Sequence, residues 1–319
     1  MNKILSQVRP LLDILLVPLV FISAWILKRV RKEGIQSFPL CKKTLLNVGI
    51  FPVRNHYYEP QFDFREIKHP FSEERNLPGI DWNIEEQLTM LKELAFAPEL
   101  ANIPTKQTDD LHFYLNNGAF ESGDAEYWYQ LIRLKKPAKI FEVGSGHSTL
   151  MAINAVLKNK QDNPDYRCKH VCIEPYEMPW LEKTDVTVVR QKVEDVDLSF
   201  FSELEENDIL FIDSSHIIRP EGDVLFEYLQ LLPSLKKGVI VHVHDIFSPR
   251  NYLNQWLMDD VKFWNEQYLL EAFLSHNTSW KIIGSLNYLH HNHYEALKKV
   301  SPFLTPDREP GSFYMQRVS

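Results

Sequence analysis

The sequence predicts an α/β fold, a parallel sheet covered by helices on both faces, and three observations carry that prediction. Lys139 to Leu150, KIFEVGSGHSTL, reads as a short apolar strand running into a glycine turn and a helix start. Strands then alternate with helical patterns through the following hundred or so residues, the mark of a sheet with helical crossovers. The tail carries two further β-rich segments, Trp280 to Leu289 and Ser312 to Val318, separated by a short helical stretch and a Pro-rich loop.

At the amino terminus, Leu11 to Leu27 is apolar except for Asp13 and Ser23, has Pro18 in its middle, and is followed at once by KRVRK. A spanning helix needs about twenty apolar residues, so this run is just long enough. No small-x-small cleavage site follows it, and the stronger basic cluster lies on its carboxyl side, which argues against a secretory signal. The first expectation is a single membrane anchor in residues 1–35. Lys28, Arg29, Arg31 and Lys32 would hold the following domain on the cytoplasmic face. Pro18 and Asp13 also suit a re-entrant or interfacial helix, and a buried or partner-docking helix of a soluble protein is the third reading. Between Phe38 and Tyr58, Lys42, Lys43 and Arg54 mix with Leu45, Leu46, Ile50, Phe51 and Tyr57, a blend that suits anionic headgroups and an ordinary connector equally.

Residues 36–119 form a second region. It has proline and acidic clusters after Glu59, an amphipathic helix around Trp82 to Phe96, and a lead-in from Asp109 to Tyr129. Asp124-Ala125-Glu126-Tyr127 opens the helix before the glycine turn. Tyr114, Phe120 and Trp128 suit stacking on a sugar or on adenine, and suit a core just as well. The third region, 120–319, holds the sheet.

Within it, Ile140, Phe141 and Val143 make the first strand. Gly144 and Gly146 permit backbone angles and close approach that a side chain would block, and Ser148 or Thr149 can cap the next helix. A pyrophosphate cradle needs GxGxxG or GxxxxGK[ST], and the third glycine and the lysine are missing. A helix from Ser148 to Lys158 leads to a strand at Lys169 to Ile173 that ends in Glu174. Val186 to Val189 is the third strand, Asp208 to Ile212 the fourth, ending in Asp213, and Gly238 to Val243 the fifth, ending in His244-Asp245. Glu221 to Leu235 is helical, with Val224, Leu225, Tyr228, Leu231 and Leu232 on its apolar side. Asn251 to Leu274 also has helical spacing, with an aromatic stripe for the core and Asn265, Glu266 and Gln267 in reach of the strand ends.

Ligands of open parallel sheets bind outside the carboxyl ends of the strands. Three polar clusters lie there: Glu142 to His147, Asp213-Ser214-Ser215-His216, and His242-Val243-His244-Asp245. His242 and His244 share a strand face, and His242 reads as a core histidine. His290, His291 and His293 read as a solvated loop.

With Glu142 and Gly144-Ser145-Gly146 at the first strand and Glu174 at the end of the second, the chain resembles the class I S-adenosylmethionine-dependent methyltransferases over residues 120–319. The resemblance implies a Rossmann-like sheet, mostly parallel, with an antiparallel pair at the end, and a lid or substrate-recognition region ahead of the first strand. It implies S-adenosyl-L-methionine held by Glu142, Gly144, Ser145, Gly146, Ser148, Glu174 and Asp213, with Glu174 on the ribose and Asp195 or Glu194 near the adenine. The strand ends are similar to those of the metal-dependent branch that includes catechol O-methyltransferase and the macrolide-sugar O-methyltransferases. His244-Asp245 stands where that branch has Asp-Asn, and His216 stands at the spacing of its lysine base.

By that resemblance, Asp213, His244 and Asp245 would hold Mg²⁺ or Mn²⁺. The alternative is a metal-free site, with His216 as base, Asp245 orienting it, and Asp213 beside them. DSSH, HVHDIFSP and WNEQYLL together resemble a bacterial methyltransferase subgroup associated with surface-glycan biosynthesis. The implied activity is O-methylation of a sugar hydroxyl in a glycan or glycolipid precursor. Two rivals stand against it. An NAD(P)-dependent Rossmann enzyme is opposed by the missing third glycine, and a noncatalytic scaffold of a glycan-assembly complex by the dense His and Asp residues at the strand ends.

Composition agrees. The 319 residues, 44% hydrophobic, allow one large core plus an accessory region. A net charge of −8 with no basic stripe outside the juxtamembrane cluster argues against nucleic acid as a partner. Cys41, Cys168 and Cys172 are odd in number and lack zinc spacing, as expected in a reducing compartment without a disulfide framework.

Overall fold

The computed structural model describes residues 2–60, 62–63 and 66–319, with side chains from Arg9 onward. Met1 of the expected anchor and Gln61, Phe64 and Arg65 of the expected second region lie outside the described residues. The chain divides into two compact units, Met1–His69 and Pro70–Ser319.

The first unit is helical. Helix α1, Asn2–Lys32, runs on through Pro10 and Pro18, and its portion Arg9–Lys32, 24 residues with mean hydropathy 2.3, is long and apolar enough to cross a membrane. Its large side chains, Ile14, Leu15, Leu19 and Phe21 among them, are exposed. A core helix of a soluble domain would bury that surface. After a short 3-10 turn, α2, Pro39–Val48, starts on a proline at its first position and stops at Gly49, whose φ of 82° is the left-handed end of a helix.

The second unit holds a seven-stranded sheet in the order β3-β2-β1-β4-β5-β7-β6. The strands are β1 Lys139–Val143, β2 Lys169–Ile173, β3 Thr187–Val189, β4 Ile209–Ile212, β5 Ile240–Val243, β6 Trp280–Ser285 and β7 Phe313–Arg317. Neighbours among β1 to β5 pair in parallel, while β7 runs antiparallel to both β5 and β6, with a bulge at Ile282/Gly284. The order reverses at β1, whose neighbours are β2 and β4, and that reversal opens a crevice at the carboxyl ends.

Alternation along β1 explains the two cores. Ile140 packs toward α4 (Asp124–Lys135) and α5 (His147–Asp162), while Phe141 and Val143 pack on the opposite face with α8 (Glu266–Leu274) and the helical run after Gly222. That run is not one regular helix. Between α6, Asp223–Phe226, and α7, Leu232–Ser234, lies a π turn at Glu227–Leu231.

Several expected elements are corrected. The boundary at residue 120 falls inside the second unit, because α3, Ile84–Glu93, is bound to β6: Asn83 Nδ2 donates to Ile282 O at 2.9 Å and Gln87 Oε1 accepts from Ser285 N at 2.7 Å. The helix after the glycine turn continues past Lys158 to Asp162. The β-rich stretch from Trp280 ends at Ser285, where Leu286 N bonds to Ser312 O and α9, Leu286–Asn292, begins; α10, Tyr294–Val300, follows. His290 and His291 therefore sit on a helix instead of in a loop, and His290 is buried.

The span Asn251 to Leu274 is broken as well. A π turn at Gln255–Asp259 is followed by irregular chain with Val261 at φ 53°, and α8 starts only at Glu266. The break lets Trp256 and Trp264 pack together at 5.1 Å with the Lys262 ammonium 4.2 Å from each ring.

Candidate active site

The glycine turn is built around one forced approach. Gly144 has φ 76°, and a Cβ placed there would lie 2.0 Å from Asp213 O. Gly144 N donates to Ile173 O and Asp213 N to Val143 O, so the ends of β1, β2 and β4 are bonded together at this residue. Gly146 does not need to be glycine on the same grounds. Its φ of −177° lies outside the left-handed region, and a Cβ would meet only Met178 Cε at 3.7 Å.

Beneath the turn, Glu142 is completely buried. Its carboxylate accepts from Thr149 Oγ1 at 2.6 Å and Ser148 Oγ at 3.3 Å and bonds His170 Nε2 at 2.6 Å. Burial disfavours the His170 cation, but Glu142 overcomes it and pushes the imidazole up to about 10. Glu142 and Ser148, expected to hold the donor, are thus engaged under the turn and do not line the crevice. The expected cap is Thr149, whose Oγ1 takes the Gly146 N–H at 3.2 Å.

The crevice above the turn is a cavity of about 460 Å³ lined by Gly144, Glu174, Val193, Glu194 and Asp213. Glu174 is held at its mouth, with Oε1 accepting from Tyr176 N and Glu177 N at 3.0 Å and Oε2 from Ser145 N at 3.4 Å. Asp195 is exposed and turned away, so of the two acidic candidates for the adenine side Glu194 is the one that faces the crevice. A ribose needs a two-point acceptor beside a close-approach backbone, and Glu174 with Gly144 fits a nucleoside donor on those terms. His147 borders the turn, edge-on to Tyr114 at 5.3 Å, and burial lowers its basicity. Phe120 and Trp128 are core residues, packed on Phe211 and His242.

A second cavity of about 530 Å³ opens beside it, with Asp124, His244, Asp245, Phe247 and Trp256 in its wall. His216 lines neither cavity; it is buried beside Asp213, a wall residue of the first, and Asp245, a wall residue of the second. Its Nε2 lies 3.3 Å from Asp213 Oδ1 and 3.5 Å from Asp245 Oδ2, and its Nδ1 is 2.8 Å from Glu266 Oε2. Glu266 is fully buried and also accepts from Tyr228 Oη at 3.0 Å. The residue that orients His216 is therefore Glu266; the Asp245 expected in that role faces the other nitrogen. Trp264 packs on the imidazole at 4.3 Å. The backbone is strained here in two places, with His216 at φ 61° and Asp245 at φ 59°.

The charges are coupled. Burial opposes ionisation throughout, yet Asp213 is held well below the usual carboxylate range by His244 and His216. His216 is kept protonated well above its ordinary value by Asp213 and Glu266, against the same burial. His244 is raised too, by Asp245, Asp213 and Asp124. Burial, aided by Asp213, pushes the Asp245 carboxyl up although both histidines pull it down. His242 takes no part: burial and the neighbouring His244 keep it neutral, stacked on Tyr314 at 4.1 Å and bonded to Ser312 Oγ at 2.8 Å.

A divalent cation fits this donor set in a modified form. One atom each from Asp213, His216 and Asp245 lies within 4.8 Å of the others, so His216 joins the two carboxylates where His244 was expected. Glu266 on Nδ1 is the arrangement that orients an imidazole toward a metal. His244 stays beside the group, its Nδ1 buried, without a hydrogen-bond partner, and 3.5 Å from both Asp213 and Asp245.

Two further residues belong to the site. Asp124 lies 3.7 Å from His244 Nε2 and accepts from Ser312 N at 2.7 Å; in the sequence it is only an acidic residue in a first helical turn. Glu227 sits under Ser214, and burial together with Glu266 and Asp223 pushes its carboxyl up; the π turn that carries it has no local sequence signature.

Comparison with known proteins agrees with this architecture. A family model for a methyltransferase domain matches residues 141–246, the stretch from β1 to the turn after β5. An uncharacterized protein of Archaeoglobus fulgidus is 34% identical over 171 residues, covering 50% of this chain and 75% of its own length. The chain belongs to the class I S-adenosylmethionine-dependent methyltransferases. S-Adenosylmethionine is accordingly its methyl donor.

Solved methyltransferases superpose loosely. The TDP-rhamnose 3'-O-methyltransferase of calicheamicin biosynthesis has a TM-score of 0.37 at 15% identity, over 80% of this chain and 98% of its own. The plantazolicin methyltransferase BpumL, solved with S-adenosylhomocysteine, has a TM-score of 0.36 at 13% identity, over 74% and 99%. Likeness at this level decides nothing about the acceptor.

Proposed function

We propose that this methyltransferase acts on oxygen, methylating a sugar hydroxyl of a glycan or glycolipid precursor at the cytoplasmic face of a membrane. One observation carries the reading: His216, fixed by Glu266 on one nitrogen, presents the other to Asp213, which lines the first cavity, and to Asp245, which lines the second. When bound, S-adenosylmethionine supplies an electrophilic methyl group on a sulfonium. The acceptor oxygen forms the new C–O bond as the C–S bond breaks, and the protein has to align the two and take the hydroxyl proton.

His216 Nε2 is the atom positioned for that proton. Its neighbouring carboxylates favour the imidazolium, so it becomes a free base only when another positive charge offsets them. In the alternative, Asp213, His216 and Asp245 would hold Mg²⁺ or Mn²⁺; His216 would then be a ligand through Nε2 and not the base, and such an ion would lower the basicity of the hydroxyl it touched. Gly144, Glu174, Glu194 and Asp213, which line the first cavity together, support the donor. The exposed apolar face of α1 and the cations Lys28, Arg29, Arg31 and Lys32 after it support a single anchor with the enzyme on the cytoplasmic side.

The test is transfer from methyl-tritiated S-adenosylmethionine to methyl glycosides of gluco, galacto, manno and rhamno configuration, with the full chain in detergent and with or without Mn²⁺. Label on a ring oxygen of one glycoside is expected. Its rate should fall about 10²–10⁴-fold in His216→Ala with S-adenosylhomocysteine affinity retained. Binding of S-adenosylhomocysteine without label in any glycoside, or a His216→Ala enzyme as fast as the parent, overturns the reading.

A further inference from the structure

Resting on that glycosyl reading, we propose that the second cavity receives an uncharged or amine-bearing glycosyl unit and turns away acceptors that carry a phosphate or carboxylate into it. Its volume, about 530 Å³, lies in the range of small-ligand sites. It combines flat apolar surface with amide hydrogen-bonding groups. Phe247 and Trp256 meet edge-on at 5.2 Å, and Asn251, Asn254 and Asn287 line the same space. Rings that stack against C–H faces beside amides that bond hydroxyls suit a sugar.

The charge of the wall selects among sugars. Glu121, Asp124, Asp245, Asp307 and Glu309 all line it, against the guanidiniums of Arg250 and Arg308. Both guanidiniums are already engaged. Arg250 Nη2 pairs with Glu74 at 2.9 Å and its Nε donates to Ser72 O at 2.8 Å; the remaining Nη1 has no partner but is sealed from solvent. Arg308 pairs with Glu121 and bonds Asn116 Oδ1 at 3.2 Å.

The carboxylates have weaker company. Glu309 is shared by Asn287 and the half-buried His291, each at 2.8 Å, and Asp307 is held by the Thr305 hydroxyl. An anion entering this space meets five carboxylates against three cations, the two guanidiniums and the His244 imidazole, and at the buried Asp124 and the mostly buried Asp245 screening by salt is least effective. A hydroxyl or an ammonium meets acceptors instead.

Ligand-observed NMR on the full chain in detergent, saturated with S-adenosylhomocysteine, tests this. The ligands are methyl glycosides in gluco, galacto, manno and rhamno configuration, with the matching 2-amino sugars, uronates and sugar 1-phosphates. For whichever configuration binds, the neutral or amino sugar is expected to bind at least tenfold more tightly than its uronate and its phosphate, and Asp307→Asn with Glu309→Gln should narrow that gap. Equal or tighter binding of the uronate or phosphate, lost in Arg250→Ala or Arg308→Ala, overturns the charge selection and leaves the glycosyl reading standing. Failure of every glycoside while S-adenosylhomocysteine still binds overturns both.

Discussion

Gly144→Ala separates the role of the glycine turn in the fold from its role in binding. At φ 76° an alanine pays the left-handed strain of about 1–3 kcal/mol. Its Cβ would also stand 2.0 Å from Asp213 O, a backbone atom of a residue whose own N–H is bonded to Val143 O, and relieving such overpacking costs about another 1–3 kcal/mol. The total, roughly 2–6 kcal/mol, is a large part of a domain stability of about 5–15 kcal/mol. It corresponds to a melting point lower by roughly 5–20 °C for a domain of this size. Gly146→Ala is the control two residues away. Its φ of −177° lies outside the left-handed region and its Cβ has only Met178 Cε at 3.7 Å, so the gain in unfolded-chain stiffness and the poorer helix cap should leave it within about 1 kcal/mol of the parent. Thermal and urea unfolding of the full chain in detergent reads the first effect, and calorimetric titration with S-adenosylhomocysteine reads the second. Gly144→Ala melting within about 2 °C of the parent would refute the reasoning. So would Gly146→Ala proving as destabilised as Gly144→Ala.

Glu174→Ala removes a charged acceptor that faces the donor crevice, and loss of hydrogen bonds to a charged group at about 1.5–3 kcal/mol each predicts at least a tenfold rise in the calorimetric Kd for S-adenosylhomocysteine. An unchanged Kd would remove Glu174 from the donor site. The His170–Glu142 pair predicts a stability that declines in alkali. The folded value, about 10, lies above the ordinary 6.5, so the stabilisation is complete below pH 6.5 and is lost as pH rises through 10, on the order of 4 kcal/mol in all. Urea unfolding from pH 6 to 10 should show that decline and His170→Asn should flatten it; a parent whose stability is flat over this range contradicts the pairing. If α1 is an anchor, the chain stays in membranes washed with alkaline carbonate, and Leu19→Lys with Phe21→Lys releases it, each lysine costing about 2.5–3.5 kcal/mol at the centre of a span. A parent chain that washes off dismisses the anchor.

The parallel core was legible because its strands are short apolar runs that end in acidic or polar residues, and β1, β2, β4 and β5 begin and end within two residues of where those runs do. Periodicity alone could not say which way Glu142 points. Its alternation puts it on the Ile140 face, toward α5, and whether a carboxylate can be buried there depends on His170 in the neighbouring strand, a matter of register that one sequence does not contain. The same limit hid Glu266. Its place in a helical stripe was visible, but its bond to His216 spans 50 residues and follows from the break before α8. Gly146 was read as sterically required because its neighbour Gly144 is. Gly146, the cap of the following helix, has a φ of −177° outside the left-handed region and room for a Cβ, so the two glycines of one motif rest on different physics.

The turns after β4 and β5 each place a residue other than glycine in the left-handed region, His216 at φ 61° and Asp245 at φ 59°. Each costs about 1–3 kcal/mol and persists because its surroundings fix it. His216 O accepts from both Asn265 N and Glu266 N, and Ile246 N is bonded to Gly311 O just beyond Asp245. Glycine would adopt either turn without strain, but it would bring no imidazole and no carboxylate to the cluster with Asp213. The strain is therefore evidence that those two side chains are needed there, and their mutual geometry says for what. With Nδ1 bonded to Glu266, an Nε2 lone pair facing Asp213 and Asp245 would repel both carboxylates, so the space between them has to hold positive charge, as a proton on Nε2 or as a divalent ion. The sulfonium of the donor brings charge of the same sign to the Asp213 side. Proton and metal are thus alternative occupants of one electrostatic well, and in the metal-free case His216 would need a further positive charge nearby to serve as a base.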